Sequence, residues 1–264
     1  MGKIERASAE IERLEEEAYK ESPLNSINPL VKLILTLAAI IASVSVRRGE
    51  LASALLIFSY PLSQFILFSI PLRPALKRLA PVFPFILLVG IFEPFLDKSP
   101  VFSLGGIVVT GGMLSFLSLT VKGLTTVLSA YLLAVSTPAK DIFSALRRLK
   151  LPAVIVSEIE LIYRYLGLLL DEAGRVSAAY SLRAPGQKGI AFRAWGSLLG
   201  QLILRSIDRA ELVYQSMLLR GFRGAYDAGK ELSFSRADCF YLVFWLAALI
   251  ILRFLPLLFT KGKI

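Results

Sequence analysis

Histidine is absent from this chain, and cysteine occurs once, as Cys239. The first absence removes the commonest metal ligand and the commonest general base at neutral pH. The second excludes an intrachain disulfide and a Cys-rich metal centre. The charged N-terminus, Met1 to Glu21, lacks an apolar signal core, so no cleaved signal peptide is expected. Acidic residues are in deficit: 20 Asp and Glu stand against 30 Lys and Arg, a formal charge of +10. No RNA- or DNA-binding motif accompanies that excess. Cytoplasmic loops beside anionic headgroups account for it, and nucleic acid is not an expected partner.

What the chain does have is long apolar runs. Hydrophobic residues make up 55% of it, and the mean hydropathy is +0.65. Runs of this kind take lipid as their solvent, since about 20 apolar residues cross the hydrocarbon core. Candidate spans cover residues 30–46, 51–70, 81–96, 113–136 and 239–258. Asn28-Pro29 punctuates the start of the first, and Arg73 to Arg78 reads as a basic loop after the second. In the third, Pro84 and Pro94 allow kinks that neighbouring helices can absorb. Residues 101–112, rich in Val, Ile and Gly, read as a short hairpin. Residues 4–19 place Ile4, Ala7, Ile11, Leu14 and Ala18 at helical spacing among dense Glu and Arg. That pattern reads as an amphipathic helix on the membrane surface or on a partner, against the plainer alternative of a solvated charged tail.

The expected fold is therefore all-α: a polytopic membrane protein of about five spans with long amphipathic cytoplasmic helices. The expected division is an N-terminal amphipathic segment (1–29), four spans (30–136), a cytoplasmic helical module (137–236), and a last span with its tail (237–264). About half of all Lys and Arg fall between Pro138 and Arg236, interleaved with apolar residues at helical spacing. Two long helices are expected there, over 152–180 and 190–219, the second about 45 Å long. They are too charged to cross lipid cheaply and too apolar to stand alone in water. A sixth, partial insertion stays open for 154–170. The positive-inside rule puts this module, the 73–78 loop and the N-terminus in the cytoplasm of a cell's inner membrane, at the cost of Arg47 and Arg48 facing outward.

Two short sequences end the long helices: Ser181-Leu182-Arg183-Ala184-Pro185-Gly186 and Leu218-Leu219-Arg220-Gly221-Phe222. Taken singly, each is an ordinary helix stop, with Gly free to turn left-handed and Arg favoured by the helix dipole. Taken together, two arginines at two helix ends suit docking into acidic grooves of another protein, because the planar guanidinium pairs bidentately with carboxylates. The segment Gly224 to Glu231 follows phosphate-loop spacing, but Glu231 replaces the magnesium-binding Ser or Thr and a helix precedes it. It reads as a loop, so ATP is expected to bind elsewhere. Glu93, Glu158 and Glu160 could hold a metal in principle, yet packing or hydrogen-bonding roles suit them better, as they do Lys122 within the fourth span.

An ordered series of motifs over nearly the whole chain resembles a known family. It comprises Asn28-Pro29-Leu30-Val31-Lys32-Leu33, the tract Thr137-Pro138 through Asp141-Ile142-Phe143 to Leu151-Pro152, Tyr163-Arg164-Tyr165-Leu166 with Asp171-Glu172-Ala173, Ser181 to Ala184, and Met217 to Phe222. Together they resemble the transmembrane T component (EcfT/CbiQ) of energy-coupling factor transporters, in particular the CbiQ type of cobalt importers. The resemblance implies a non-catalytic scaffold that joins two ATP-binding-cassette ATPases to a small CbiM-like substrate-binding membrane subunit, with room for an accessory membrane subunit. It implies no cofactor in this chain, ATP and magnesium residing in the ATPases. Carried over, the docking residues are Ser181, Leu182, Arg183, Ala184, Leu219, Arg220 and Gly221. The first motif departs from the family pattern: Ala184 stands where Gly usually follows Arg, with Gly only at 186.

Competing expectations are a nickel or vitamin transporter of the same kind, a conventional ABC permease with a single coupling loop, and a membrane anchor indifferent to both arginines. An intramembrane enzyme is the weakest, since no Ser/Lys, paired-Asp or metal-ligand constellation is evident.

Overall fold

The computed structural model describes residue 9 and residues 27–47, 49–68, 70, 72–97, 99–104, 107–187, 189–224 and 234–260. The amphipathic reading of residues 4–19 and the rejected phosphate loop after Gly224 lie outside the described residues, as do the terminal residues 261–264. The described chain is helical apart from one two-stranded hairpin. It divides into two compact units: residues 27–138 with 234–260, and residues 139–224.

The first unit is the apolar one. Helix α1 (Pro29–Ser45) starts where Asn28 Oδ1 accepts the Leu30 amide at 3.0 Å and Pro29 presets the first turn. Helix α2 (Leu51–Leu67) follows, with Pro61 inside it. The basic loop expected after α2 is instead an eight-residue helix, α3 (Leu72–Leu79). Pro74 falls in its first turn, where the missing N–H is an orphan anyway. Ala75 and Leu79, four apart, are buried while Leu76 and Lys77 stay exposed, so an amphipathic turn wins over a loop.

The third expected span is not one helix. It breaks into α4 (Phe83–Gly90) and α5 (Glu93–Leu96), each with proline in its first turn, Pro84 and Pro94. A continuous helix would drive the Pro94 ring against the carbonyl of Gly90, four residues earlier, which is where α4 stops. The expected hairpin is present: β1 (Pro100–Leu104) pairs antiparallel with β2 (Ile107–Thr110).

Helix α6 (Gly111–Ser136) is the central element, packing against α1, α2, α4 and α5. Close approach of α5 requires Gly112, where an added Cβ would sit 2.6 Å from Pro94 Cα and 2.7 Å from the Asp97 carbonyl oxygen. Helix α10 (Arg236–Thr260) completes the bundle. Val31, Leu35 and Ala39 of α1, Ala54, Ile57 and Tyr60 of α2, and Leu249 of α10 form one buried cluster. Phe65, Ala75, Leu79, Leu128, Tyr131 and Leu132 form a second. Among the described residues, α6 and residues 236–255 of α10 are long and apolar enough to cross a membrane, and α1 and α2 are shorter apolar helices. Large side chains on these helices remain exposed, among them Ile41, Val44, Ile66, Phe240 and Ile250, a surface matched to lipid rather than water.

Several charged groups inside this unit are satisfied at helix ends. Lys32 Nζ donates to the Ser136 carbonyl oxygen at 2.6 Å, and Lys122 Nζ to that of Val46 at 2.6 Å. Asp238, buried, accepts the Asn28 amide at 3.0 Å and the Ser235 amide at 2.9 Å, holding the starts of α1 and α10 together. Arg253 donates to the Ser45 carbonyl oxygen at 2.8 Å and lies 3.4 Å from Glu50 Oε2.

The second unit contains α7 (Ala139–Arg148), α8 (Ala153–Arg183) and α9 (Phe192–Leu219). Phe143 meets Tyr163 edge-on at 5.5 Å, and Arg147 pairs with Glu160 at 2.5 Å, fixing α7 on α8. Helix α9 buries no residue fully, although Trp195, Leu199, Ile203, Ile207 and Leu212 lie along it and stay exposed.

Candidate functional site

The two predicted arginines stand at the ends of α8 and α9, and the helices stop there by different means. At the end of α9 the Phe222 amide donates to the Met217 carbonyl at 3.0 Å and the Gly221 amide to Leu218 at 2.9 Å. These two bonds form a Schellman cap, whose αL residue is Gly221 at φ +83°. A Cβ on Gly221 would meet nothing within 4 Å. Backbone conformation, rather than crowding, calls for glycine there.

Helix α8 ends without such a cap. The Ala184 amide donates to the Tyr180 carbonyl at 3.1 Å, and Ala184 sits at φ −124°, ordinary for any L residue. The left-handed turn is deferred to Gly186, at φ +92°. That accounts for alanine after Arg183: this helix end makes no demand for glycine at 184. Beyond the turn, Tyr180 Oη donates to Gln187 Oε1 at 3.0 Å and accepts the Ala191 amide at 3.4 Å, tying the connection back to α8.

Both ends project apolar side chains beside their arginines. Leu182 is 83% exposed and Leu219 is 90% exposed, and Arg183 and Arg220 are exposed too. Ser181 turns inward on its own helix, its hydroxyl donating to the Ala178 carbonyl at 2.7 Å. An exposed leucine next to an exposed arginine gives each end an apolar contact and a planar cation together, as protein recognition uses them.

Arg220 also belongs to something larger. Between α8 and α9 runs an open cleft of 470 Å³, lined from α8 by Leu161, Arg164 and Tyr165. From α9 and its cap come Arg209, Leu212, Val213, Ser216, Met217, Arg220, Gly221 and Phe222. Arg183 is not among the lining residues. Arg164 and Arg209 are functional candidates that attention to the two helix-end motifs alone passes over. The signal was available: Arg209 and Arg220 are eleven residues apart, close to three helical turns, and so share a face.

Farther along the same helix pair, Glu172 bridges Arg175, at 2.6 Å, and Arg205 of α9. Hydrogen bonds from Arg175 first and Arg205 second hold its carboxyl below the usual carboxylate range. Of the other carboxylates, Glu160 is engaged by Arg147 and Glu158 is exposed. Among the described residues no group of three or more Cys, Asp or Glu could hold a metal ion.

Comparison with known proteins adds an independent observation. The CbiQ family model, described as cobalt transport protein, matches residues 20–231. An uncharacterized protein of Methanocaldococcus jannaschii is 25% identical over 249 residues, covering 90% of this chain and 83% of the relative. A putative fused cobalt transport protein CbiMQ of Methanocorpusculum labreanum is 27% identical over 225 residues, 80% of this chain and 36% of that longer protein. The nickel permease LarQ of Lactiplantibacillus plantarum is 30% identical over 91 residues, 34% of this chain and 33% of the relative.

Proposed function

This chain belongs to the CbiQ cobalt transport protein family, and on that premise we propose that it is the non-catalytic energy-coupling subunit of an ATP-driven importer. Its apolar unit lies in the cell's inner membrane and its second unit in the cytoplasm. Two ATP-binding-cassette ATPases engage the second unit at the ends of α8 and α9, through Arg183 and Arg220. Their closure on ATP shifts these helices, and the shift reaches a small substrate-binding membrane subunit. ATP and magnesium belong to the ATPases, and this chain holds no cofactor of its own.

The observation that carries this reading is the paired helix ends. Two helices of 31 and 28 residues each finish in an exposed leucine followed by an exposed arginine. A conventional permease would have one coupling loop, and an anchor would have no use for either pair. A relative named as a fused CbiMQ supports a CbiM-like subunit as the membrane partner. Cobalt is the cargo favoured by the family description, and nickel is the alternative raised by the relative named LarQ.

The deciding experiment is a detergent pull-down with the candidate ATPases, comparing the wild type with Arg183→Glu, Arg220→Glu and both together. The double variant, still membrane-inserted and folded, is expected to lose ATPase binding. Undiminished binding would overturn the docking assignment and bring the permease and anchor readings forward.

A further inference from the structure

The connection between α7 and α8, with the first turn of α8, is exposed and apolar along its whole length. All seven residues from Leu149 to Ile155 are exposed, and all but Lys150 are apolar. The exposure stops abruptly, because Val156 and Ser157 are buried. An uninterrupted apolar run on the surface of a charged helical unit marks a contact with something other than water.

Lys150 sits within this run in a costly conformation. Its amide donates to the Arg147 carbonyl at 3.0 Å, closing α7, and its φ is +60°. Among the described residues it is the one non-glycine with a positive φ. Glycine takes that geometry without a steric penalty, whereas a lysine Cβ crowds the following carbonyl. A side chain kept against such a cost points to a use for it.

Charge and connectivity name the occupant. Between Asp141 and Glu158 there is no Asp or Glu, while Arg147, Arg148 and Lys150 fall there. Arg147 is engaged by Glu160, which leaves Lys150 as the cation set among the exposed leucines. An ammonium between Leu149 and Leu151 matches the boundary of an anionic bilayer, where phosphate overlies acyl chain. Helix α6, long and apolar enough to cross a membrane, is followed after Thr137 and Pro138 by α7. Helix α7 has ten residues and is about 15 Å long. So short an arm gives the turn a high effective concentration at the surface that α6 leaves.

We infer that the α7–α8 turn, Leu149 to Ile155, is a membrane-surface contact whose ligand is the headgroup of an anionic phospholipid. Leu149, Leu151 and Val154 enter the acyl boundary, and the lysine stem lies beside them with its ammonium at the phosphate. Glu158 and Glu160 follow directly, so the contact ends with the first turn of α8 and residues 154–170 make no sixth crossing. The assignment rests on a membrane-embedded first unit and not on ATPase docking. A failed pull-down with the Arg183 and Arg220 variants leaves it standing, and loss of the lipid contact leaves that docking assignment standing.

The test uses the full chain in nanodiscs with Cys239→Ser as background and Leu151→Cys carrying an environment-sensitive fluorophore. In discs of phosphatidylcholine with about a third phosphatidylglycerol, lipids spin-labelled high on the acyl chain are expected to quench the probe several-fold more than lipids labelled at the chain end. A probe at Leu182→Cys, at the other end of α8, is expected to show several-fold less quenching. Lys150→Glu should reduce quenching at position 151 several-fold, and Lys150→Arg should preserve it. Lys150→Gly relieves the backbone and is expected to melt no lower than the parent, yet to lose the gain that phosphatidylglycerol gives over pure phosphatidylcholine. Equal quenching at 151 and 182, or indifference to both phosphatidylglycerol and the charge at 150, would overturn the inference. So would a probe at 151 that stays in water in bare nanodiscs and is shielded only when a protein subunit is added, which would make the turn a protein contact.

Discussion

Lys32 on α1 and Lys122 on α6 cap each other's helices: Lys32 donates to the Ser136 carbonyl and Lys122 to the Val46 carbonyl, each at 2.6 Å. Val46 lies fourteen residues after Lys32, and Ser136 fourteen after Lys122, so the two antiparallel helices are matched in length between caps. Each ammonium meets carbonyls at the negative end of a helix, the favourable polarity for a cation.

Replacing either lysine by methionine removes a charge-assisted bond while keeping most of the apolar stem. Lys32→Met is expected to cost about 1–3 kcal/mol and Lys122→Met about the same or less. The two sites lie about 21 Å apart along the helix, so their effects should add to within about 0.5 kcal/mol. Thermal unfolding of the detergent-solubilised protein reads this directly, and a strongly sub-additive double variant would show the caps are coupled.

The two helix ends should respond oppositely to the same pair of residues. Gly221→Ala places a Cβ at φ +83° and is expected to cost about 1–2 kcal/mol. Ala184→Gly, at φ −124°, should cost less than about 1 kcal/mol, through the unfolded chain alone. Hydrogen exchange of the last turn of each helix separates them: faster exchange near Leu218 in the first variant, little change near Tyr180 in the second.

Gly112→Ala tests the seat of α5 on α6. The added methyl would meet backbone atoms of Pro94 and Asp97, which cannot rotate away as a side chain would. An overpacking cost of about 1–3 kcal/mol is expected, read as a lower melting temperature with unchanged helical content.

Glu172 gives the α8–α9 pair a pH dependence of known sign. Its carboxyl is held below the usual range by Arg175 and Arg205, so the folded form binds that proton more weakly than the unfolded one. Its stabilising contribution is full above the ordinary carboxylate value and fades as pH falls through that value and past the lowered one. Amide exchange in α8 and α9 should therefore accelerate on acidification in the wild type. Glu172→Gln should lose that part of the dependence, and parallel profiles for the two proteins would remove the bridge as its cause.

Much of the fold class was legible because lipid-facing helices need long apolar runs: α6 and α10 have them at full length, and α1 and α2 are shorter apolar helices. The hairpin showed through its Val, Ile and Gly content. The break between α4 and α5 was half-legible: Pro84 and Pro94 were evident, but whether a proline kinks or divides a helix depends on what packs across it, here α6 with Gly112. Helix α3 was missed because five of its eight residues are Arg, Lys, Pro or Ala, and only the burial of Ala75 and Leu79 makes it amphipathic. At the candidate site the arginines were visible as motifs. The reason Ala184 stands where Gly is usual was not, since a φ value follows from how the chain leaves the helix. The grouping of Arg164 with Arg209 and Arg220 needed the pairing of α8 with α9, which no local pattern encodes.

The matched lysine caps also limit how this bundle can deform. Sliding α1 along α6 by one turn, about 5.4 Å, would pull both ammonium groups from their carbonyls at once. Tilting the pair as a unit breaks neither. The central helices are thereby latched against piston travel and left free to rock.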